Sequence, residues 1–371
     1  MNRYFKRFAV SLLALAAAIA ASGSSVRSSR HHVLPFPEGH GLAGAYIGAL
    51  DRNSFILAGG SDFETLRPWE GGTKSFFRDI YVVSVDGSGY SCVHAGVTLP
   101  EGMGNGCAVV CGKTLYCLGG LTSGGYSPRV VRIRRSGRSL KVEDAGMLPE
   151  GFHANAAASW KGAIYVHGSM AGKNALFRLM PKSMTWTKLS ACPERLLEEG
   201  STFTPQGHGS GTALYLIGGR GTDGDGLFIA RNVWEYLPLR DKWVKKAEFT
   251  DDGKPVELMY TASVPYGPAC VLSFGCDDGV EFRHRIELMA QGDRQEELTA
   301  AFVGHPGFSD RVWCYNAKTD TWSVLGKADF PLPAVTTAVM LRGKVLLTSG
   351  EEHPGVRNSD LIEMEVSGVE D

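Results

Sequence analysis

The chain has 371 residues, with 38 Lys and Arg against 39 Asp and Glu, so its formal net charge is −1. This balance gives no basic surface of the kind that neutralises phosphates, and we expect no nucleic-acid partner. The eight cysteines are too sparse for a disulfide scaffold, and the tight C-x-x-C pairs of a zinc site are missing. We therefore expect no zinc site at the cysteines.

The N-terminus has the pattern of a secretory signal peptide. Three basic residues within the first seven positions precede an apolar stretch at 8–20, in which Ala18 and Ala20 are placed for cleavage. The stretch is shorter than the roughly 20 residues that span a bilayer, and no later segment is apolar enough. We predict a signal peptide over residues 1–20, export of residues 21–371 to the periplasm, and no membrane anchor.

A hydrophobic strand ending in a doublet of small residues recurs along the chain. The copies are FILAGG at 55–60, LYCLGG at 115–120, IYVHGS at 164–169, LYLIGG at 214–219, VLSFGC at 271–276 and VLLTSG at 345–350. A polar loop and a second alternating strand follow each doublet, and a tryptophan comes later at Trp186, Trp243 and Trp322. The pattern predicts about four short strands in each repeat.

These four-stranded units, with paired glycines and a late tryptophan, resemble the kelch motif, whose repeats are the blades of a β-propeller. We predict an all-β fold, a six-bladed kelch-type β-propeller that forms one domain over residues 21–371. The last repeat has only three strands, whereas the segment at 30–36 precedes the first repeat and predicts an orphan strand. The N-terminal strand should therefore close the sixth blade and remove its free edge.

Charged and aromatic residues gather in the loops that follow the second strand of each repeat. In a propeller these loops surround one mouth of the central channel. The loop at 61–78 offers Arg67, Trp69 and Lys74. The loop at 277–309 is the longest, and we expect it to form a lid or wall over that mouth.

The last of these loops, at 351–359, follows an apolar strand directly and carries Glu351, His353 and Arg357. A carboxylate and an arginine in one rigid Pro-Gly turn could face a small anionic ligand together. The alternative is a salt-bridged surface turn, which would contribute about 0–1 kcal/mol to stability.

The segment GEEHPGVR at 350–357 resembles the G-E-x-x-P-G-x-R turn of the bacterial N-acetylneuraminate epimerases, which are sialic acid mutarotases. The stretch at 42–133 is similar to the last two blades of that family, so the chain resembles a cyclically permuted branch. The resemblance implies an isomerase that interconverts the α- and β-anomers of N-acetylneuraminate. It makes Glu351 the proton acceptor and Arg357 its partner for the substrate. The family's PRD segment is not matched by PERLLEEGS at 193–201.

The chemistry of mutarotation suits these residue types and requires no metal and no cofactor, so we expect neither. A carboxylate can act as the general base on the anomeric hydroxyl, and an arginine offers a planar fork to a carboxylate of the sugar. His353 could serve as the acid toward the ring oxygen, because its ordinary pKa is about 6.5. Trp69 could stack on the sugar, and Arg67 is a further candidate for binding the anion.

Two other function classes stay open. A non-catalytic kelch propeller would bind a protein or a carbohydrate, and a carbohydrate oxidase on this fold would need a copper site of Tyr and His ligands. The sequence also leaves open whether the protein forms a homodimer.

Overall fold

The computed structural model describes residues 24–208, 211–251 and 253–369, so the predicted signal peptide at 1–20 lies outside the described part. Within these ranges, six four-stranded antiparallel sheets follow one another as blades around a central channel. The predicted six-bladed β-propeller is therefore confirmed. No helix among the described residues is long and apolar enough to cross a membrane.

Each blade runs outward from an inner strand at the channel to an exposed fourth strand. The strands of blades 1 to 3 are Tyr46–Ala49, Ser54–Ala58, Asp79–Asp86 and Gly89–Thr98; Cys107–Cys111, Thr114–Thr122, Gly125–Ser136 and Ser139–Met147; and Phe152–Trp160, Ala163–Met170, Lys173–Met180 and Thr185–Leu189. Those of blades 4 to 6 are Thr202–His208, Gly211–Ile217, Asn232–Leu237 and Lys242–Glu248; Ala262–Tyr266, Cys270–Phe274, Arg311–Asn316 and Thr321–Lys327; and Ala338–Leu341, Lys344–Thr348, Leu361–Ser367 and Ser25–His31.

The apolar core lies between adjacent blades. One cluster joins Leu272 and Phe274 of blade 5 to Val345 and Leu347 of blade 6, all of them almost fully buried. Second strands are buried on both faces, which is why they appear in the sequence as near-continuous apolar runs. The late tryptophans bridge blades, because the indole N–H of Trp186 in blade 3 donates to the Met147 carbonyl of blade 2 at 3.1 Å.

The N-terminal strand closes blade 6, as predicted. Ser25–His31 pairs antiparallel with Leu361–Ser367 along its whole length. The strand lies earlier in the chain than the expected 30–36. The apolar residues of that segment pack in the core instead of forming a strand. Leu34 is buried between blades 6 and 1, with Val33 and Phe36 packed against that cluster.

The long segment at 277–309 contains two helices rather than an irregular loop. These are α1, Val280–Gln291, and α2, Gln295–Val303. Short two-stranded ribbons and one 3-10 helix lie in the connections between the strands of the blades. The ribbons are Ser61–Asp62 with Ser75–Phe76, Arg220–Asp223 with Gly226–Ile229, Thr250–Asp251 with Lys254–Pro255, and Glu351–His353 with Val356–Arg357; the 3-10 helix is Pro68–Glu70.

Candidate active site

A cavity of about 410 Å³ opens at this mouth of the channel. Its walls are the starts of the inner strands of all six blades, together with side chains of α1 and α2. Four residues of α1 contribute, namely Phe282, Arg285, Ile286 and Met289. The volume lies within the roughly 300–1,000 Å³ of small-molecule sites. The expectation that the segment at 277–309 forms a wall of the mouth fits this geometry.

Glu351 lies at the cavity wall. It begins the hairpin after the second strand of blade 6, and its backbone N–H and carbonyl pair with Ala334 at 2.8 and 3.0 Å. Its side chain is 14% exposed, and its Oε1 accepts a hydrogen bond from Nη1 of Arg357. The hairpin register places Glu351 directly opposite Arg357, so the ion pair is built into the local pairing.

Arg357 is fully buried behind Glu351 and does not reach the cavity wall. Its Nε donates to the Ser61 carbonyl at 3.0 Å and lies 3.7 Å from Oδ1 of Asp62, and the guanidinium carbon lies 5.2 Å from the centre of the Phe63 ring. We expected Glu351 and Arg357 to face a ligand together. These contacts hold the guanidinium inside the protein, and its Nη2 has no hydrogen-bond partner among the described residues, so a direct contact of Arg357 with a ligand stays a prediction.

Arg67 and Trp69 lie beside the hairpin rather than at the cavity wall. Arg67 Nη1 donates to the carbonyls of Gly39 and Gly355 at 3.1 and 3.2 Å, so it braces the turn of the hairpin. Trp69 lies beside that turn, with its ring centre 5.7 Å from that of Phe302 on α2. Lys74, from the same loop as Arg67 and Trp69, is at the cavity wall.

His353 is half-buried, and its Nδ1 has no hydrogen-bond partner in the described part of the chain. Burial lowers its pKa, which favours the neutral imidazole. Its ring lies nearly parallel to that of His305, with 6.3 Å between the ring centres. The wall of the cavity next to this pair is formed by Glu351 and Pro354.

Glu351 occupies a position that recurs around the ring, which we call the rim position. It is the residue that directly follows the doublet of small residues in a repeat and forms a β-bridge with the segment before the inner strand. The bridges are Ala43 with Ser61, Gly104 with Leu121, Glu199 with Arg220, Met259 with Asp277, and Ala334 with Glu351. Blades 4, 5 and 6 thus carry charged rim residues, whereas blades 1 and 2 carry uncharged ones.

Asp277 and Arg285 were not among the sequence-predicted site residues, yet both line the cavity. Arg285 is 4% exposed, and its Nη1 has no hydrogen-bond partner among residues 24–208, 211–251 and 253–369. Its guanidinium carbon lies 5.5 Å from the centre of the Phe302 ring. A buried arginine with a free donor at a cavity wall is suited to binding an anion.

Asp277 is 7% exposed. Burial raises the pKa of its carboxyl to about 6, although a hydrogen bond from the Gly279 N–H and the charge of Arg285 act in the opposite direction. Burial together with the charges of Arg285 and His353 lowers the pKa of His305, which lies outside the cavity wall, to about 4. Near neutral pH His305 is therefore neutral, whereas the Asp277 carboxyl at the cavity wall can exist in both protonation states.

The spacing of Phe282, Arg285, Ile286 and Met289 was the signal that would have revealed this wall. Positions i, i+3, i+4 and i+7 share one face of a helix, so the segment could have been recognised as amphipathic. No group of three or more His, Cys, Asp or Glu side chains in the described ranges is arranged to hold a metal ion.

No family model matches the chain. Curated proteins named N-acetylneuraminate epimerase are similar to it: the Salmonella typhi protein is 25% identical over 238 residues, which cover 61% of this chain and 59% of that protein. The Shigella flexneri protein is 24% identical over 238 residues, covering 61% of this chain and 62% of that protein. The chain thus spans about three fifths of the length of these relatives. Together with the six-bladed propeller, these matches support, at modest identity, the resemblance of this chain to the N-acetylneuraminate epimerases.

Proposed function

We propose that the protein is a mutarotase that interconverts the α- and β-anomers of N-acetylneuraminate in the periplasm. The observation that carries the proposal is the Glu351 carboxylate at the wall of the cavity, with one oxygen fixed by the buried Arg357. The names of the relatives point to the same sugar. A catalytic site for this reaction can be simple, because the anomers also equilibrate without an enzyme.

Glu351 is the general base in this proposal. Its carboxylate takes the proton of the anomeric hydroxyl, the bond between the anomeric carbon and the ring oxygen breaks, and an open-chain keto acid forms. The chain then closes on the other face of the carbonyl. A positioned base contributes roughly 10²- to 10⁴-fold to such a step. Arg357 acts through Glu351, as a positioning residue, since its guanidinium is buried behind the carboxylate.

Arg285 takes the role of anchor for the sugar carboxylate. Its unpartnered Nη1 and its place in the cavity wall supply a donor for an anionic group. Apolar side chains of Phe282 and Met289 lie on the same helix face and can contact the less polar parts of the ligand. An acidic sugar matches this combination better than a neutral one.

The proposal is tested by following anomer equilibration directly. The α-anomer of N-acetylneuraminate is released in situ by a sialidase, and proton NMR records its conversion with and without the protein. We expect the protein to accelerate conversion, and to leave freshly dissolved α-N-acetylglucosamine, which has no carboxylate, at the rate of the blank. If N-acetylneuraminate also equilibrates at the rate of the blank, mutarotation of this sugar is wrong, and a binding role for the propeller becomes the better explanation.

Replacing Arg285 with glutamine should raise KM for N-acetylneuraminate by about 10- to 100-fold, because a hydrogen bond to a charged group contributes about 1.5–3 kcal/mol. Arg283→Gln is the matched control on the same helix, since Arg283 pairs with Glu257 and lies outside the cavity wall. Initial rates over a range of sugar concentrations measure both variants. Equal KM values for the two would remove Arg285 from the binding site.

A further inference from the structure

We propose that Asp277 is the general acid that protonates the ring oxygen while Glu351 deprotonates the anomeric hydroxyl. This inference rests on the proposed mutarotase function and assigns the second proton transfer of that reaction. It gives the site a carboxyl pair in which the two members have opposite tasks.

Asp277 and Glu351 occupy the rim positions of adjacent blades, and both line the cavity. The backbone of Asp277 exchanges two hydrogen bonds with Met259, at 2.9 and 3.0 Å, as the backbone of Glu351 does with Ala334. The two carboxyl groups therefore project from equivalent, rigid points on neighbouring blades, on one side of the channel mouth. A sugar ring bound there can meet one carboxyl through its hydroxyl and the other through its ring oxygen.

Arg285 carries an unpartnered Nη1, is almost fully buried, and interacts electrostatically with both Asp277 and Glu351. An anionic substituent next to the anomeric carbon would satisfy that donor. In N-acetylneuraminate the carboxylate is attached to the anomeric carbon itself, so an anchor at Arg285 brings the reacting oxygens toward the two carboxyl groups.

The two carboxyl groups differ in their surroundings. Glu351 has a guanidinium partner in Arg357, whereas Asp277 forms no salt bridge with any of the described residues. Asp277 faces Arg285 from α1, Glu351 from the hairpin of blade 6, Arg220 from blade 4, and its neighbour Asp278. Burial outweighs the nearby cations, so its pKa is raised to about 6 and a protonated form is available below that pH.

Ring opening and reclosure need no reactant other than the sugar and the two carboxyl groups. In ring opening, Asp277 gives its proton to the ring oxygen, the bond from that oxygen to the anomeric carbon breaks, and the anomeric oxygen becomes a carbonyl as Glu351 takes its proton. In reclosure the hydroxyl group formed from the ring oxygen attacks the other face of the carbonyl. Its proton returns to Asp277, and Glu351 returns a proton to the new anomeric hydroxyl. Both carboxyl groups end the cycle as they began.

The test is the pH dependence of the enzyme-catalysed rate, with the rate of the blank subtracted at each pH. An acid must be protonated to act, so wild-type kcat/KM should fall as pH rises through about 6. Asp277→Asn keeps an oxygen that can accept the Gly279 N–H but has no proton to give. We expect kcat to fall by about 100-fold and the alkaline decline to disappear. Asp278→Asn, at an exposed neighbouring position, should keep the rate and the decline, with the decline moved to lower pH because the Asp278 charge raises the pKa of Asp277.

Two results would overturn the inference while leaving the mutarotase function intact. One is an active wild type whose kcat/KM does not change between about pH 5 and 8, which needs no variant and is informative even if Asp277→Asn does not fold. The other is a folded Asp277→Asn protein with the kcat and pH profile of the wild type. A wild type no faster than the blank would instead overturn the proposed function, and this inference with it.

Discussion

Replacing Glu351 with glutamine should slow the enzyme-dependent equilibration of N-acetylneuraminate anomers by at least about 100-fold, because the amide cannot accept the anomeric proton. The amide oxygen can still accept the hydrogen bond from Arg357 Nη1, which Glu351 Oε1 accepts in the wild type. The effect should therefore appear in kcat, with KM nearly unchanged. Proton NMR of the anomers, with the rate of the blank subtracted, is the measurement.

Glu352→Gln is the matched control for this variant. Glu352 is the next residue of the same hairpin, but it is paired with Arg30 at 2.8 Å and lies outside the cavity wall. We expect it to retain the wild-type rate. If Glu351→Gln and Glu352→Gln show the same activity, the general base is not Glu351, and the charge of the hairpin has a structural role only.

Replacing Arg357 with methionine should reduce the free energy of unfolding by roughly 3–5 kcal/mol, the cost of leaving a buried charge without its partner. The guanidinium contacts Glu351 and the Ser61 carbonyl and lies 3.7 Å from Asp62 Oδ1, so its loss leaves the Glu351 carboxylate without its cationic partner. Activity should also be lost, because Glu351 would no longer be oriented. Arg357→Lys should not restore the wild type, since an ammonium cannot match a planar guanidinium at three positions.

Urea unfolding followed by tryptophan fluorescence measures the change in stability. Arg342→Met serves as the control. Arg342 is exposed, and within the described residues its side chain makes one hydrogen bond, from Nε to Oδ1 of Asn53. An exposed substitution of this kind is expected to change stability by less than about 0.5 kcal/mol. A stable and active Arg357→Met protein would show that neither the hairpin nor Glu351 depends on this cation.

The blades could be predicted because they repeat. An apolar run such as FILAGG recurs in register, and each copy predicts the same buried second strand, so errors in one copy are corrected by the others. Glu351 could be placed at the mouth for the same reason, since it follows such a run directly. The closing strand was predicted to exist but was placed too late, because Val33, Leu34 and Phe36 look like strand residues and instead fill the core between two blades.

The burial of Arg357 and the positions of Asp277 and Arg285 could not be predicted, because they depend on features that occur only once in the sequence. The depth of Arg357 is set by Ser61 and Asp62, which are distant in sequence and become neighbours only when the ring closes. The roles of Asp277 and Arg285 depend on α1, a helix that occurs in one repeat and was interpreted as a loop. A one-copy insertion has no second copy to compare with, so helical spacing was the single available signal for it.

The closing strand has a consequence for how the protein is made. Ser25 pairs with Ser367 across 342 positions of sequence, and Arg30 reaches Glu352 in the hairpin that carries Glu351. Contacts of such long range form slowly, because the entropy of closing the loop is lost before the contact is gained. During synthesis the first strand must wait unpaired until the last strand has left the ribosome. The contact between Arg30 and the Glu351 hairpin therefore forms at the end of folding. The proposed catalytic activity should be one of the last native properties to appear on refolding.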